Sequence, residues 1–402
     1  MGSGVVNAVA EAGRRGEDIR SDCWVSFAPA DSGGITIDLK SKVESMYGQA
    51  TRELVRKVLG GLKVEHAQVT IEDAGALPFV IAARLEAAVR RSGRDVKDGW
   101  LPEFAAGTNY PTQRERFRRS RLYLPGNEPK FMLNAGLHKP DAVILDLEDS
   151  VAPPEKDAAR LLVRNALRTI DFHAAERMVR INQGDLGLAD LDFVVPHNLH
   201  VVLIPKVESP DQVARVDQRI AEILQAHNID RPVYLMPIIE SALGALRAYE
   251  IATASPNTIA LTIGLEDYTA DIGAPRTAEG RESFWARCQV VNAARAAGLQ
   301  PIDTVFSDVS DMEGLRAAVI DAKGLGFEGK GCIHPRQIQV IHDAFAPTAS
   351  ELEKARNIVA AFDDAQAKGL AVVALGSKMI DPPVVKRAQR VVRLAKAMGM
   401  IE

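Results

Sequence analysis

The chain has 402 residues, 47% of them apolar and 25% charged, which suits a soluble globular protein large enough for one large domain and one small one. A formal net charge of -4 provides no global field to hold nucleic acid or an anionic membrane, so an anionic small molecule has to be met by local arginines and lysines. Cys23, Cys288 and Cys332 are too few and too scattered for a disulfide framework or a zinc pattern, and there is neither a signal h-region nor a run of 18 apolar residues, so a cytoplasmic location is expected.

The first elements form one compact unit. WVSFAP reads as a strand, DSGG as a turn, ITIDL as a second strand and SKVESMYGQATRELVRKVLGGL as a helix; HAQVTIED and ALPFVIAARLEAAVRR add a strand and a helix. This predicts a small α+β domain over residues 12–92. The stretch from 93 to 115 has no apolar period and is rich in glycine, proline and charge, so it reads as a linker.

Beyond it, short apolar runs alternate with helical segments, the signature of βα units around a parallel sheet. Eight runs can be counted: RLYLPG, DAVILDLED, RMVRIN, HVVLIPK, VYLMPIIE, NTIALTIG, PIDTVFS and GKGCIHP. Eight units predict a (β/α)8 barrel over 116–344, where a doubly wound sheet more often stops short of eight. An extension over 345–402 follows, with an amphipathic helix, an AVVAL segment, a GSKMIDPP loop and a basic helix.

In such a barrel the chemistry gathers at the carboxyl ends of the strands. The expected ends carry Asp146, Glu148 and Asp149; Arg180 and Asn182; Lys206 and Glu208; Glu240; Glu266 and Asp267; Ser307 and Asp308; and His334. One charge at one strand end commonly caps a helix or faces water. Seven ends of eight converging on one mouth point to a site. Carboxylates without a cysteine and histidine cluster make an oxygen-ligand site for a hard cation, and Glu240 and Asp267, on adjacent strands, are the candidate Mg2+ ligands. Arg180, on the third strand, is the candidate for gripping a substrate carboxylate with its fork of donors.

At these residues the chain resembles the citrate lyase beta subunit of the HpcH/HpaI aldolase superfamily, through RRSRLYLPG, DAVILDLEDSV, VRIN, IPKVES, IESALG, GLEDY, LGFEGKGCIHPRQI and GSKMIDPPVVKRAQ. The resemblance implies a Mg2+-dependent carbon–carbon lyase that cleaves a citryl-type 2-hydroxy-acid thioester to oxaloacetate and an acetyl thioester. Malyl- or citramalyl-coenzyme A lyases and thioesterases of the same superfamily are the alternative, and a non-catalytic carrier or scaffold subunit a remote one. It implies Glu240 and Asp267 as metal ligands, Arg180 as the oxo-acid clamp with Glu148 and Arg119 also binding substrate, and Asp381 as an acid/base reaching a neighbouring subunit's site. A homo-oligomer, trimer or hexamer, and a coenzyme A transferase (alpha) partner are implied as well. His334 stands where the beta subunit often has asparagine, which leaves open whether the acyl group rides on a carrier protein or on free coenzyme A.

The front domain resembles the citrate lyase acyl carrier protein, the gamma subunit, through FAPADSGGITIDLKSKVESMYG and VTIEDAGALPFVIAARLEAAVRR. In that family a serine carries a phosphoribosyl-dephospho-coenzyme A arm. Here EDIRSDCWV puts Arg20 at the matching position and Ser21 one residue later, so Ser21 is the candidate attachment point, with a domain kept only for assembly as the alternative.

Overall fold

The computed structural model describes residues 8–97, 99–367, 373–375 and 378–401, without the side chains of 373–375, 378 and 379. The front domain is a four-stranded sheet, β1 (Ala10–Gly13), β2 (Cys23–Pro29), β3 (Ile35–Ser41) and β4 (Ala67–Asp73), in the order β1-β2-β4-β3. The β3–β4 pair is parallel and the other pairs are antiparallel. Two helices pack on it, α1 (Glu44–Gly61) and α2 (Pro78–Arg91).

Every residue of α2 from Phe79 to Val89 is buried, as a helix that is apolar almost all round requires. The sheet covers one side of α2, and the barrel helix Lys156–Thr169 covers another. Its two buried charges are paired across that packing. Arg84 grips Asp22 with two hydrogen bonds of 3.0 and 2.8 Å and donates a third, 3.0 Å long, to the Asn127 carbonyl of the barrel. Glu86 accepts from Arg164 of the barrel helix at 2.7 Å, with the two side chains 0% and 4% exposed. The front domain is therefore bolted to the barrel. Removing one partner of a buried ion pair strands the other, so Glu86→Ala should lower stability by about 3–5 kcal/mol. A denaturant midpoint within error of the parent's would show that this pair does not hold the domains together.

The eight predicted barrel strands are all present: β5 (Ser120–Pro125), β6 (Ala142–Asp146), β7 (Glu176–Arg180), β8 (Val201–Ile204), β9 (Tyr234–Ile239), β10 (Ala260–Ile263), β11 (Gln300–Asp303) and β12 (Gly329–Cys332). They close into one parallel barrel. Ala142, Ile144, Met178, Val201, Leu203, Met236, Ile238 and Ile302 fill its lumen, with Tyr123 packed against them, while the opposite strand faces meet the helices. Strands buried on both faces have to read as continuous apolar runs, and these do.

The extension differs from expectation in one respect. Part of the predicted GSKMIDPP loop is extended: β13 (Val373–Leu375) pairs antiparallel with β14 (Lys378–Ile380). Gly376 and Ser377, the first two residues of that loop, lie outside the described residues. The helices Ala349–Ala367 and Pro382–Ala397 pack together through Ala355, Ile358, Val385 and Ala388. Among the described residues no helix is long and apolar enough to cross a membrane.

Candidate active site

The carboxyl ends of the strands surround a cavity of about 350 Å³ lined by Arg121, Tyr123, Asp146, Arg180, Glu240, Thr262, Glu266 and Asp267, among others. That volume lies at the low end of small-molecule pockets, on the order of 300–1,000 Å³.

Two strand ends build one wall. Arg180 closes β7 and turns to Asp146 at the end of β6, donating from Nε and Nη2 to the two carboxylate oxygens at 2.7 Å each. Its Nη1 lies 3.0 Å from Glu148. Burial alone would raise the Asp146 carboxyl, but the hydrogen bonds and charge of Arg180 outweigh it and hold the group below its usual range. Glu148 also accepts from Gln183 at 2.8 Å. The Tyr123 ring lies 5.4 Å from the guanidinium, within cation–π range. So Arg180 reaches the cavity already locked in one orientation, with three of the roughly five donors of a guanidinium committed and one left on each Nη.

The ends of β9 and β10 build a second wall, which carries the expected ligand pair. Glu240 follows β9, is 6% exposed, and accepts the backbone N–H of Lys206 at 2.9 Å. Burial pushes its carboxyl up to about 7, although the Lys206 N–H and the nearby Arg180 pull the other way. The residue after β10 is Gly264, and a Cβ there would come within 2.4 Å of Glu240 Oε1, so the chain has glycine where the carboxylate needs room. Asp267 stands in the first turn of the helix Leu265–Asp271 and is the more exposed of the two. Lys206 leans over both walls, with Nζ 3.2 Å from Glu148, 3.3 Å from Asp149 and 3.6 Å from Asp267. Its backbone sits at φ 50, a left-handed conformation uncommon outside glycine, which allows one residue to offer its N–H to Glu240 and its ammonium to the other carboxylates.

This donor set suits a hard divalent cation. Mg2+ commonly takes one or two protein carboxylates and completes its shell with water and substrate. Glu240, buried and short of positive charge, and Asp267, held near a lysine ammonium, supply oxygen donors around one space.

The other expected residues are divided between the site and the rest of the chain. Arg119 is not at the site: it precedes β5, at the amino-terminal end of the barrel, and spends its guanidinium on Asp141 at 2.9 and 2.8 Å. The reason is direction, since the cavity opens at the other end of that strand. Glu148 is at the site but serves Arg180, Lys206 and Gln183. Asn182 holds Asp190 at 2.7 Å, and His334 accepts the Arg336 N–H at 3.1 Å. Ser307 and Asp308 are not among the cavity-lining residues. Asp381 is exposed and sits at the start of the helix Pro382–Ala397, which is tied by Arg390 to Glu328 at 2.6 Å; Glu328 just precedes β12, at the barrel's amino-terminal end. Asp381 does not line its own chain's cavity. Ser21, at φ 57, donates its N–H to Ala74 and is followed by Asp22, the Arg84 partner. Sequence reasoning missed Arg121, Tyr123 and Thr262, which line the cavity floor from mid-strand. An arginine inside an otherwise apolar barrel strand was the available signal.

The barrel stretch 119–335, more than half of the chain, matches the HpcH/HpaI aldolase/citrate lyase family. The chain belongs to this family. Residues 284–400 also match the C–C bond lyases of the TIM-barrel fold, so this family member is a carbon–carbon lyase; residues 15–92 match an ACP family described as the malonate decarboxylase delta subunit. The citrate lyase subunit beta of Leuconostoc mesenteroides subsp. cremoris is 40% identical over 293 residues, covering 72% of this chain and 96% of that one. The mitochondrial citramalyl-CoA lyase of Mus musculus is 34% identical over 296 residues, 70% of this chain and 87% of that one. Among solved structures, protein CitE from Mycobacterium tuberculosis, in complex with magnesium, acetoacetate and coenzyme A, is similar at 31% identity and a TM-score of 0.57, covering 71% of this chain and 100% of that one.

Proposed function

We propose that this lyase cleaves a citryl-type coenzyme A thioester into oxaloacetate and acetyl-coenzyme A, with Mg2+ held by Glu240 and Asp267. The observation that carries the reading is the shared cavity lining: two carboxylates, Glu240 and Asp267, on one space, with an arginine locked beside them by Asp146 and Glu148. Bound Mg2+ would supply Lewis-acid polarisation of the substrate's 2-oxygen.

The protein's own groups do the rest. Arg180 offers its remaining Nη donors to the carboxylate beside the reacting carbon, and because its orientation is already set, little order has to be gained on binding. Lys206 balances the carboxylates of the rim before substrate arrives. Cleavage turns the 2-hydroxyl into the oxo acid's carbonyl, its proton passing to the Asp381 carboxylate. It leaves the electron pair of the broken C–C bond on the thioester fragment as an enolate, which needs a proton on carbon. Asp381 supplies it to a partner subunit's cavity, since it is exposed and lines no part of its own.

The thioester arrives on free coenzyme A. A swinging carrier has to leave its resting place, whereas α2 is enclosed between its own sheet and the barrel, with Arg84 and Glu86 bonded across the junction. On the resemblance to the acyl carrier family, the place of its modified serine falls on Arg20. The test is a panel of citryl-, malyl- and citramalyl-coenzyme A, assayed for oxo acid with and without Mg2+, alongside the intact mass of protein from its native host. Mg2+-dependent release of oxaloacetate by protein of unmodified mass is expected. Turnover confined to protein carrying an added mass on Ser21 would restore the covalent phosphoribosyl-dephospho-coenzyme A arm, and a coenzyme A transferase partner with it.

A further inference from the structure

Arg121 enters the lumen beneath the cavity from a barrel strand. It lies on β5, level in register with Ala142 of β6 and Gly331 of β12, whose small or missing side chains leave it room. Its side chain is fully buried and helps to line the cavity floor. Nη1 donates to Thr262 Oγ1 and to Met236 Sδ, both at 3.1 Å, and Nη2 to the Asp303 carbonyl at a long 3.4 Å. Nε has no partner.

Among the described residues no carboxylate pairs with it. Its neighbours are treated differently: Arg118 has Glu176, Arg119 has Asp141, and Arg180 has both Asp146 and Glu148. A thioether, a hydroxyl and a distant carbonyl are weak compensation for a buried guanidinium, which stays charged at any ordinary pH. An uncompensated buried cation is costly unless something negative comes to it. The open side of this cation is the cavity. Thr262 lines the cavity beside it and accepts from Arg121, so its hydroxyl hydrogen is free to point at a ligand.

We infer that Arg121 and Thr262 form a second carboxylate subsite, which makes the cavity select a dicarboxylic oxo acid over a monocarboxylic one. This rests on the lyase reading and sharpens its substrate class. The carboxylate beside the reacting carbon goes to Arg180, whose own charge is already exceeded by that of Asp146 and Glu148. The distal carboxylate accepts from the Thr262 hydroxyl, and Arg121, bonded to the same oxygen, polarises that hydroxyl and supplies the balancing charge. Arg121 is thus a positioning residue acting through Thr262. An oxo acid with a methyl group or hydrogen at its distal end leaves this pair unanswered.

The inference is tested by calorimetric binding of freshly prepared oxaloacetate and of pyruvate, each with Mg2+, to the full chain and to its Arg121→Met, Arg121→Lys and Thr262→Val variants. The parent should favour oxaloacetate by at least about tenfold, equivalent to about 1.4 kcal/mol. Arg121→Met should erase that preference while pyruvate affinity stays within about twofold, Arg121→Lys should keep part of it, and Thr262→Val, nearly isosteric, should lose most of it. If Arg121→Met does not fold, Thr262→Val decides, and an unchanged oxaloacetate-to-pyruvate ratio there overturns the inference. So does a parallel loss of both ligands in a folded Arg121→Met protein, the result a purely structural arginine would give. A parent that binds neither oxo acid with Mg2+ overturns the lyase reading itself.

Discussion

Glu240→Gln should abolish Mg2+ binding and slow turnover by at least about a thousandfold, because the Lewis-acid contribution of a bound metal is worth several kcal/mol and each 1.36 kcal/mol is a factor of ten. The substitution is nearly isosteric, and the amide oxygen can still accept the Lys206 N–H that Glu240 accepts at 2.9 Å. The fold should therefore survive. It should even be slightly steadier without metal, since a carboxylate 6% exposed with one backbone hydrogen bond is expensive to bury in its charged form. Thermal melts separate the two effects: Mg2+ should raise the parent's Tm, as any ligand of the native state does, and leave that of the variant unchanged. Mg2+-stimulated turnover within tenfold of the parent would remove Glu240 from the metal site.

Asp381→Asn should cut turnover by about a hundredfold or more while Mg2+ and oxo-acid binding stay close to the parent's, because a group that delivers a proton in the transition state contributes on the order of 10²–10⁴ and holds no ligand. The stronger prediction concerns mixtures. Glu240→Gln and Asp381→Asn proteins, each nearly inactive, should regain activity when subunits are exchanged, since some sites then combine an intact metal centre with an intact donor from the partner. For a pair in which one mixed site in each dimeric contact is fully competent, recovery can reach about a quarter of parental activity on the equal-exchange arithmetic of independent sites. The structure motivates this by position: the helix that begins after Asp381 is anchored through Arg390 to Glu328 near the barrel's amino-terminal end, away from its own catalytic mouth. No recovery despite demonstrated exchange would confine Asp381 to its own chain or remove it from the chemistry.

Much of this architecture is legible in the sequence because its physics is local. A strand buried on both faces must be apolar throughout and short, so eight such runs spaced by helical segments already count out the barrel. Glu240, Asp267, Arg180 and Asp146 are legible for the complementary reason that apolar strands have no packing use for charges at their carboxyl ends. The full burial of α2 was also written in its composition, ALPFVIAARLEAAV, which leaves almost no polar face for water.

What the sequence by itself determined, then, was the count and kind of elements and the residues that gather at the strand ends, both of which follow from which side chains water rejects. Only the tertiary structure decided where individual charges go. Arg118, Arg119 and Arg121 lie within four residues, yet one pairs with Glu176, one with Asp141 at the barrel's amino-terminal end, and one rises into the lumen under the cavity. At roughly 3.3 Å per strand residue, a step of two changes the layer of the barrel without changing the face, and the partners waiting in each layer come from strands far away in sequence. The same holds for Arg84, whose partners Asp22 and Asn127 sit 62 and 43 residues away and whose role in fixing the front domain to the barrel no local pattern encodes. Local periodicity records which face of an element is dry; the closing of the barrel decides which distant carboxylate, or which ligand, answers each buried charge.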